Sequence, residues 1–195
     1  MREKQAMSKR LNAANLALIG TVLILALGSC AQDVKLTAPR YALVYGVSTY
    51  CSTLPESSPS VSNYPNLGYS DDDAKSMADL LQSQGWTVDR RIKGSAVSSD
   101  PTKDSTSPPP TKQQMLLDIA GLASTVTADS TVLLYFSGHG DIENDTPYIV
   151  PYLGIADSTS VSINLANMVS PADLQSMLTA LPTKNIIVIF DTCYS

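Results

Sequence analysis

The sequence predicts an α/β fold with a mainly parallel sheet, and three observations carry that expectation. Residues 41–47, 131–136 and 185–190 are runs of strand length that are apolar at nearly every position, the pattern of strands buried on both faces of a parallel sheet. Stretches with helical spacing alternate with them, giving the order βαβαβ(ββ)αβ. The chain has 195 residues, which suits one domain with a sizeable core. Crossovers in such a sheet are expected to be right-handed.

Each element has its own justification. Residues 41–47 form the first strand, and a loop rich in Ser and Pro (52–65) follows. Ser70-x-x-Asp73 reads as a capping box that opens a helix with Ala74, Met77, Ala78 and Leu81 at helical spacing, ended by Gly85. Residues 86–92 form a more polar strand, expected at a sheet edge. The stretch 94–111 holds mainly Ser, Thr, Asp and Pro; it buries too little apolar surface to order itself and is expected as a mobile surface loop. Thr111-x-x-Gln114 opens a second helix, with Met115, Ile119, Leu122 and Ala123 on its apolar side. A short apolar stretch, 148–152, suggests a small hairpin. Ser170-Pro171-x-Asp173 begins a third helix, with proline at its first position, expected to run to about Leu181.

Composition bounds the function without naming it. With 44% hydrophobic and 16% charged residues and a net charge of -5, the chain is globular in type. Its acidic balance argues against non-specific nucleic-acid binding, which needs a basic face, so no nucleic acid is expected as a partner. Three cysteines are too few for a disulfide scaffold, and Cys51 reads as a free loop thiol.

The first residues read as an address. Arg2, Lys4, Lys9 and Arg10 precede an apolar run over 16–27, the order of a secretory signal peptide. The run is shorter than the ~20 apolar residues of a membrane span. It ends in Leu27-Gly28-Ser29-Cys30, which resembles the lipobox of bacterial lipoproteins. That resemblance implies lipidation of Cys30, removal of residues 1–29, a tether over 30–39 and a folded domain over 40–195. Removal takes four basic residues and one acid, leaving the mature chain more acidic still. The expected product is an exported, membrane-anchored lipoprotein at the periplasmic face or cell surface, with Ala31 favouring the outer membrane.

Two of the apolar strands run into reactive sequence. One enters Ser137-Gly138-His139-Gly140, which holds the only histidine; the other enters Asp191-Thr192-Cys193-Tyr194-Ser195. Sites in open parallel sheets gather beyond the carboxyl ends of the strands. Neighbouring strands lie roughly 4.8 Å apart, so adjacency would bring imidazole and thiol together as an activated nucleophile. The glycines beside His139 allow a sharp turn, and the amides of Gly140 and Cys193 would be free to bind a developing oxyanion. A lone histidine or a buried cysteine is more often structural than catalytic. Their conjunction at two strand ends is what favours chemistry.

The blocks 135–140 and 191–195 resemble the two catalytic signatures of the caspase/metacaspase family of cysteine endopeptidases. The likeness extends to residues 42–47, 67–74 and 148–151, and so spans most of 40–195. The His-Gly and Asp-x-Cys blocks are shared with clostripain-, gingipain- and legumain-like relatives, whereas the helix opening favours the caspase/metacaspase branch. The resemblance implies a caspase-like three-layer sandwich in which His139 and Cys193 form a dyad acting through an acyl-enzyme. No metal or organic cofactor takes part in that chemistry, although some metacaspases require calcium for activation. Tyr194 stands where metacaspases commonly carry a second histidine.

In caspases a glutamine precedes the nucleophile by two residues, and an arginine near the first helix helps bind a substrate aspartate. Here Asp191 and Asp73 stand in those regions. Two carboxylates would favour lysine or arginine on the acyl side of the scissile bond and repel aspartate, as the resemblance to metacaspases also implies. Asp73 has a second role open to it as part of the capping box.

Caspase-like folds continue after the nucleophile with two more strands, and only Tyr194 and Ser195 follow here. The chain is therefore expected as a large-subunit portion lacking the C-terminal strands, its last strand an exposed apolar edge. A processed fragment, a truncated frame and a partner chain supplying a small-subunit-like segment all account for that. Arg90, Arg91 and Lys93, beside the insert, are expected self-cleavage points. The rival function is a catalytically inactive caspase-like surface lipoprotein that serves as a binding or scaffold module.

Overall fold

Every apolar run expected as a buried strand pairs in parallel with a neighbour. The computed structural model describes residues 38–50, 64–94, 106–153 and 165–194. Its elements are β1 (Arg40–Val47), α1 (Ser70–Ser83), β2 (Thr87–Lys93), α2 (Lys112–Ala123), β3 (Thr131–Glu143), β4 (Thr146–Ile149), a 3-10 turn (Leu165–Asn167), α3 (Pro171–Thr179) and β5 (Asn185–Tyr194). β1 pairs in parallel with β2 on one side and β3 on the other. β5 pairs in parallel with β3 along the opposite edge. The signal-peptide and lipobox residues with Cys30, Cys51, and most of the loops at 52–65 and 94–111 lie outside the described residues.

Alternation along the strands sorts the core into two layers. Leu43, Tyr45, Val47, Val132, Leu134 and Phe136 face Met115 and Ile119 of α2 and Met177 of α3. Ala42, Val44, Leu133 and Tyr135 face Ala74, Ala78 and Leu81 of α1. The result is a three-layer sandwich with one helix on one face and two on the other. Gly46 sets how closely α1 approaches β1: a Cβ there would lie 2.5 Å from the Ala74 Cβ and 2.7 Å from the Ser70 carbonyl oxygen.

Two helix starts follow the sequence expectation, and one does not. The Thr111 side chain accepts from the Gln114 amide, and Ser170 with Asp173 forms a complete capping box. At α1 the N-cap is Tyr69, which makes no side-chain cap bond. Ser70 and Asp73 are therefore not a capping box. The Ser48 hydroxyl does that work from across the fold, accepting from the Asp71 amide at 2.9 Å and donating to its carboxylate at 2.6 Å. A tertiary partner has displaced the local one.

Three further expectations need adjustment. α3 ends at Thr179, short of Leu181. The hairpin forms from β4 folding back on the end of β3, with Glu143 opposite Thr146. Its two-residue turn places Asn144 and Asp145 at φ 50° and 61°, the left-handed conformation a tight hairpin turn demands. The expected cleavage points Arg90, Arg91 and Lys93 lie within β2, an edge strand as the sequence suggested. Arg91 is gripped by the buried Asp118 carboxylate through Nε at 3.1 Å and a terminal nitrogen at 3.0 Å. Paired in a sheet, these residues are not presented as the extended, unpaired segment a protease cleaves.

β5 is the exposed apolar edge that the sequence anticipated. Ile187, Val188, Ile189 and Phe190 are 36–43% exposed, so this strand leaves both a backbone edge and apolar side chains in water.

Candidate active site

The β3–β5 ladder brings the two reactive blocks together rung by rung. Ser137 pairs with Asp191, Gly138 with Thr192, and His139 with Cys193. Residues in register on adjacent parallel strands project from the same face of the sheet, so the imidazole and thiol share a face and a cleft. The cleft, about 280 Å³, is lined by His139 of β3, Cys193 and Asp191 of β5, and Tyr69, Ser70 and Asp73 at the start of α1. Cys193 is exposed and carries a free thiol.

His139 is held at three points. Its Nε2 lies 2.8 Å from the Pro65 carbonyl oxygen. A carbonyl only accepts, so Nε2 carries the proton and Nδ1 is left as the basic nitrogen. The His139 amide donates to the Tyr50 hydroxyl at 2.6 Å. The rings of Tyr50 and Tyr64 pack on the imidazole, with centroids at 4.7 and 5.6 Å. Burial pushes the imidazole below its ordinary value, while the Pro65 hydrogen bond and the Asp141 charge oppose that shift.

The sharp turn expected at His139 does not occur. β3 continues through it to Glu143, and β5 keeps pairing as far as Gly140 opposite Tyr194. Gly138 makes this continuation fit, because a Cβ there would lie 2.6 Å from the Tyr50 hydroxyl and 2.8 Å from the Phe136 ring. Glycine serves here for close approach rather than for a bend. The amides of Gly140 and Cys193, expected to be open for an oxyanion, consequently belong to the paired segment.

Asp73 and Asp191 both line the cleft. Burial first, then repulsion from Asp191, Asp72 and Asp71, raises the Asp73 carboxyl above its ordinary value. The two carboxylates thus sense each other's charge within the cleft. Tyr135 donates to Asp191 at 3.3 Å, and burial with the Asp191 charge pushes this phenol up to about 12. It therefore remains a neutral donor beneath the carboxylates.

Sequence reasoning missed the parts that hold His139. Pro65 acts through its main chain and Tyr50 through a hydroxyl 89 positions away in sequence, so neither leaves a spacing signal. Among the described residues no group of three or more His, Cys, Asp or Glu side chains is placed to hold a metal ion. A roomier groove of about 440 Å³, between α3 and the start of β5, is lined mostly by apolar atoms and contains neither His139 nor Cys193.

Comparison with known proteins agrees with this architecture. No curated protein matches the chain. Among solved structures, protein GSU0716 from Geobacter sulfurreducens superposes with a TM-score of 0.54 at 16% identity, covering 80% of this chain. The chain spans about half of that structure, 51% of its length. At that identity the likeness speaks for the fold alone. The family model for the caspase domain matches residues 39–195, the whole region that holds the sheet, both reactive blocks and the acidic cleft. The chain belongs to the caspase-domain family of cysteine peptidases.

Proposed function

We propose that the protein is a cysteine endopeptidase in which His139 and Cys193 form the catalytic dyad and Asp73 and Asp191 select a basic residue before the scissile bond. The observation that carries this reading is the rung His139↔Cys193, with His139 oriented by the Pro65 carbonyl so that Nδ1 is its basic nitrogen. Nδ1 takes the proton from the Cys193 thiol, and the resulting Sγ thiolate attacks the peptide carbonyl carbon. The carbonyl π electrons move to oxygen, and the intermediate collapses as the leaving amine takes the proton from Nδ1. Water, deprotonated by the same nitrogen, then attacks the thioester, and Sγ departs to recover its proton. The amides of Gly140 and Cys193 are the proposed oxyanion donors; reaching an oxyanion requires the last rungs of the β3–β5 ladder to open as substrate enters.

The wider setting is part of the same proposal. Residues 1–29 act as a lipoprotein signal and Cys30 carries the lipid, which places the enzyme on an exported, membrane-anchored chain whose partners are peptides or proteins with basic residues. The exposed edge of β5 is where a C-terminal small-subunit-like segment would add its strands. The chemistry needs no cofactor; the calcium requirement of some metacaspases is tested by adding the ion to the assay.

One observation favours the rival reading of a catalytically inactive binding or scaffold module: the ladder runs unbroken through both members of the dyad. Fluorogenic peptides ending in Arg, Lys or Asp, combined with a thiol-directed covalent probe, separate the two. Cleavage after Arg or Lys, lost in Cys193→Ala, supports the peptidase. Cleavage after Asp alone overturns the pocket assignment and leaves the dyad intact. No cleavage, together with a probe that ignores Cys193, supports the binding module. For the anchor, labelled palmitate that stays with the protein and is lost in Cys30→Ala is the expected result; label unaffected by that substitution refutes it.

A further inference from the structure

The segment leading into α1 is tied down residue by residue. The Tyr64 hydroxyl donates to the Asp141 carboxylate. The Pro65 carbonyl accepts from His139 Nε2 at 2.8 Å. The Asn66 side-chain oxygen accepts from the Tyr50 amide at 3.0 Å, and the Leu67 amide donates to the Ser48 carbonyl at 2.8 Å. His139 and Asp141 are alternate residues of β3 and project from one face. Two consecutive residues of the segment therefore meet two successive side chains of that face.

This pairing has a consequence for the imidazole. Proline fixes its own φ and restricts the preceding residue to extended backbone, so Tyr64-Pro65 behaves as a short rigid strap. Anchoring one end of the strap at Asp141 fixes where the next carbonyl points. Tyr64 is buried, and its ring also packs on His139, so anchor and imidazole belong to one packed unit. We propose that the Tyr64–Asp141 hydrogen bond is a positioning latch for His139, locking the Pro65 carbonyl against Nε2 so that Nδ1 is turned toward Cys193. Tyr64 and Asp141 are thus positioning residues, acting through Pro65. The inference rests on the dyad reading.

The test reads the thiol directly and needs no peptide substrate. Iodoacetamide alkylation of the full chain is followed from about pH 5 to 10, with peptide mass spectrometry separating Cys193 from Cys30 and Cys51. The titratable groups around His139 are Asp141 on β3, Tyr50 and Tyr64 from the packed segments, Asp73 and Tyr69 at the start of α1, and Cys193 and Asp191 on β5. In the parent, assistance from His139 is expected to give Cys193 an alkylation plateau around neutral pH. Tyr64→Phe and Asp141→Ala are expected to slow Cys193 alkylation on that plateau by about tenfold, with unchanged rates near pH 10, where every thiol is ionised. Asp141→Asn retains an acceptor oxygen and is expected to stay within about threefold of the parent.

A plateau kept by both Tyr64→Phe and Asp141→Ala overturns the latch. So does an Asp141→Asn variant as slow as Asp141→Ala, because the charge alone would then be acting. If Tyr64→Phe fails to fold, the Asp141→Ala and Asp141→Asn pair decides the matter. A parent protein with no plateau, or a His139→Ala variant that keeps it, refutes the dyad reading itself and the latch with it. That result is distinguishable, because the Asp141 variants leave His139 in place.

Discussion

Gly138→Ala is the sharpest single perturbation of the site, because its cost can be worked from contacts on both sides of one missing methyl. The new Cβ would lie 2.6 Å from the Tyr50 hydroxyl and 2.8 Å from the Phe136 ring, and both neighbours are essentially unexposed. The closest approach is to the Tyr50 hydroxyl, so Tyr50 takes most of the displacement. Its hydroxyl then loses the 2.6 Å hydrogen bond from the His139 amide. Overpacking a tight core costs about 1–3 kcal/mol and the lost hydrogen bond about 1 kcal/mol, so about 2–4 kcal/mol is expected in all. For a domain of this size each kcal/mol lowers Tm by roughly 2–4 °C. Equilibrium urea unfolding of Gly138→Ala, Tyr50→Phe and the double variant measures it. Removing the phenol oxygen relieves the closest clash and leaves no hydrogen bond to lose, so Gly138→Ala should cost at least about 1 kcal/mol less in the Tyr50→Phe background. Strict additivity, or a neutral Gly138→Ala, would refute the claim that this glycine exists to admit Tyr50.

Two other outcomes follow from charge. The raised Asp73 carboxyl binds its proton more readily folded than unfolded. Between its ordinary value of 3.8 and the raised one, its contribution to stability therefore falls as pH rises. Affinity for a basic peptide runs the other way: KM for an Arg-ended substrate should climb as pH falls through the same window, and Asp73→Asn should flatten that limb. A wild-type limb that survives Asp73→Asn refutes the assignment. Asp118→Ala, which strips Arg91 of a carboxylate whose side chain is only 4% exposed, should destabilise by about 3 kcal/mol in urea unfolding. A loss below about 1 kcal/mol would mean that Asp89, which already lies 3.2 Å from Arg91, or water suffices for the guanidinium.

How much of this was legible in the sequence varied with the range of the interaction. Thr111 and Ser170 cap their helices through partners three residues away, and the sequence displays both. Ser70 and Asp73 have the same spacing, yet Ser48 reaches α1 from 23 positions upstream and takes the work over. A hydroxyl delivered by the fold leaves no periodic trace. The blocks around His139 and Cys193 were visible because each follows an apolar run, and apolar runs reveal where strands are. The continuation of β3 past His139 was not visible. Glycine is equally compatible with a turn and with a crowded strand, and only the neighbours at Gly138 decide which.

The sequence by itself determined the α/β class and the order of the elements, singled out His139 and Cys193 as candidate reactive groups, and supplied the acidic residues Asp73 and Asp191. Those properties reside in local apolar periodicity and in the side chains themselves. Tertiary structure alone decided that Nε2 of His139 is tied to the Pro65 carbonyl, that Tyr50 and Tyr64 enclose the imidazole, and that Tyr135 sits beneath Asp191. Each of these is a contact between segments distant in the chain. Its geometry depends on how strands, helices and straps pack, and residue identity carries no record of it.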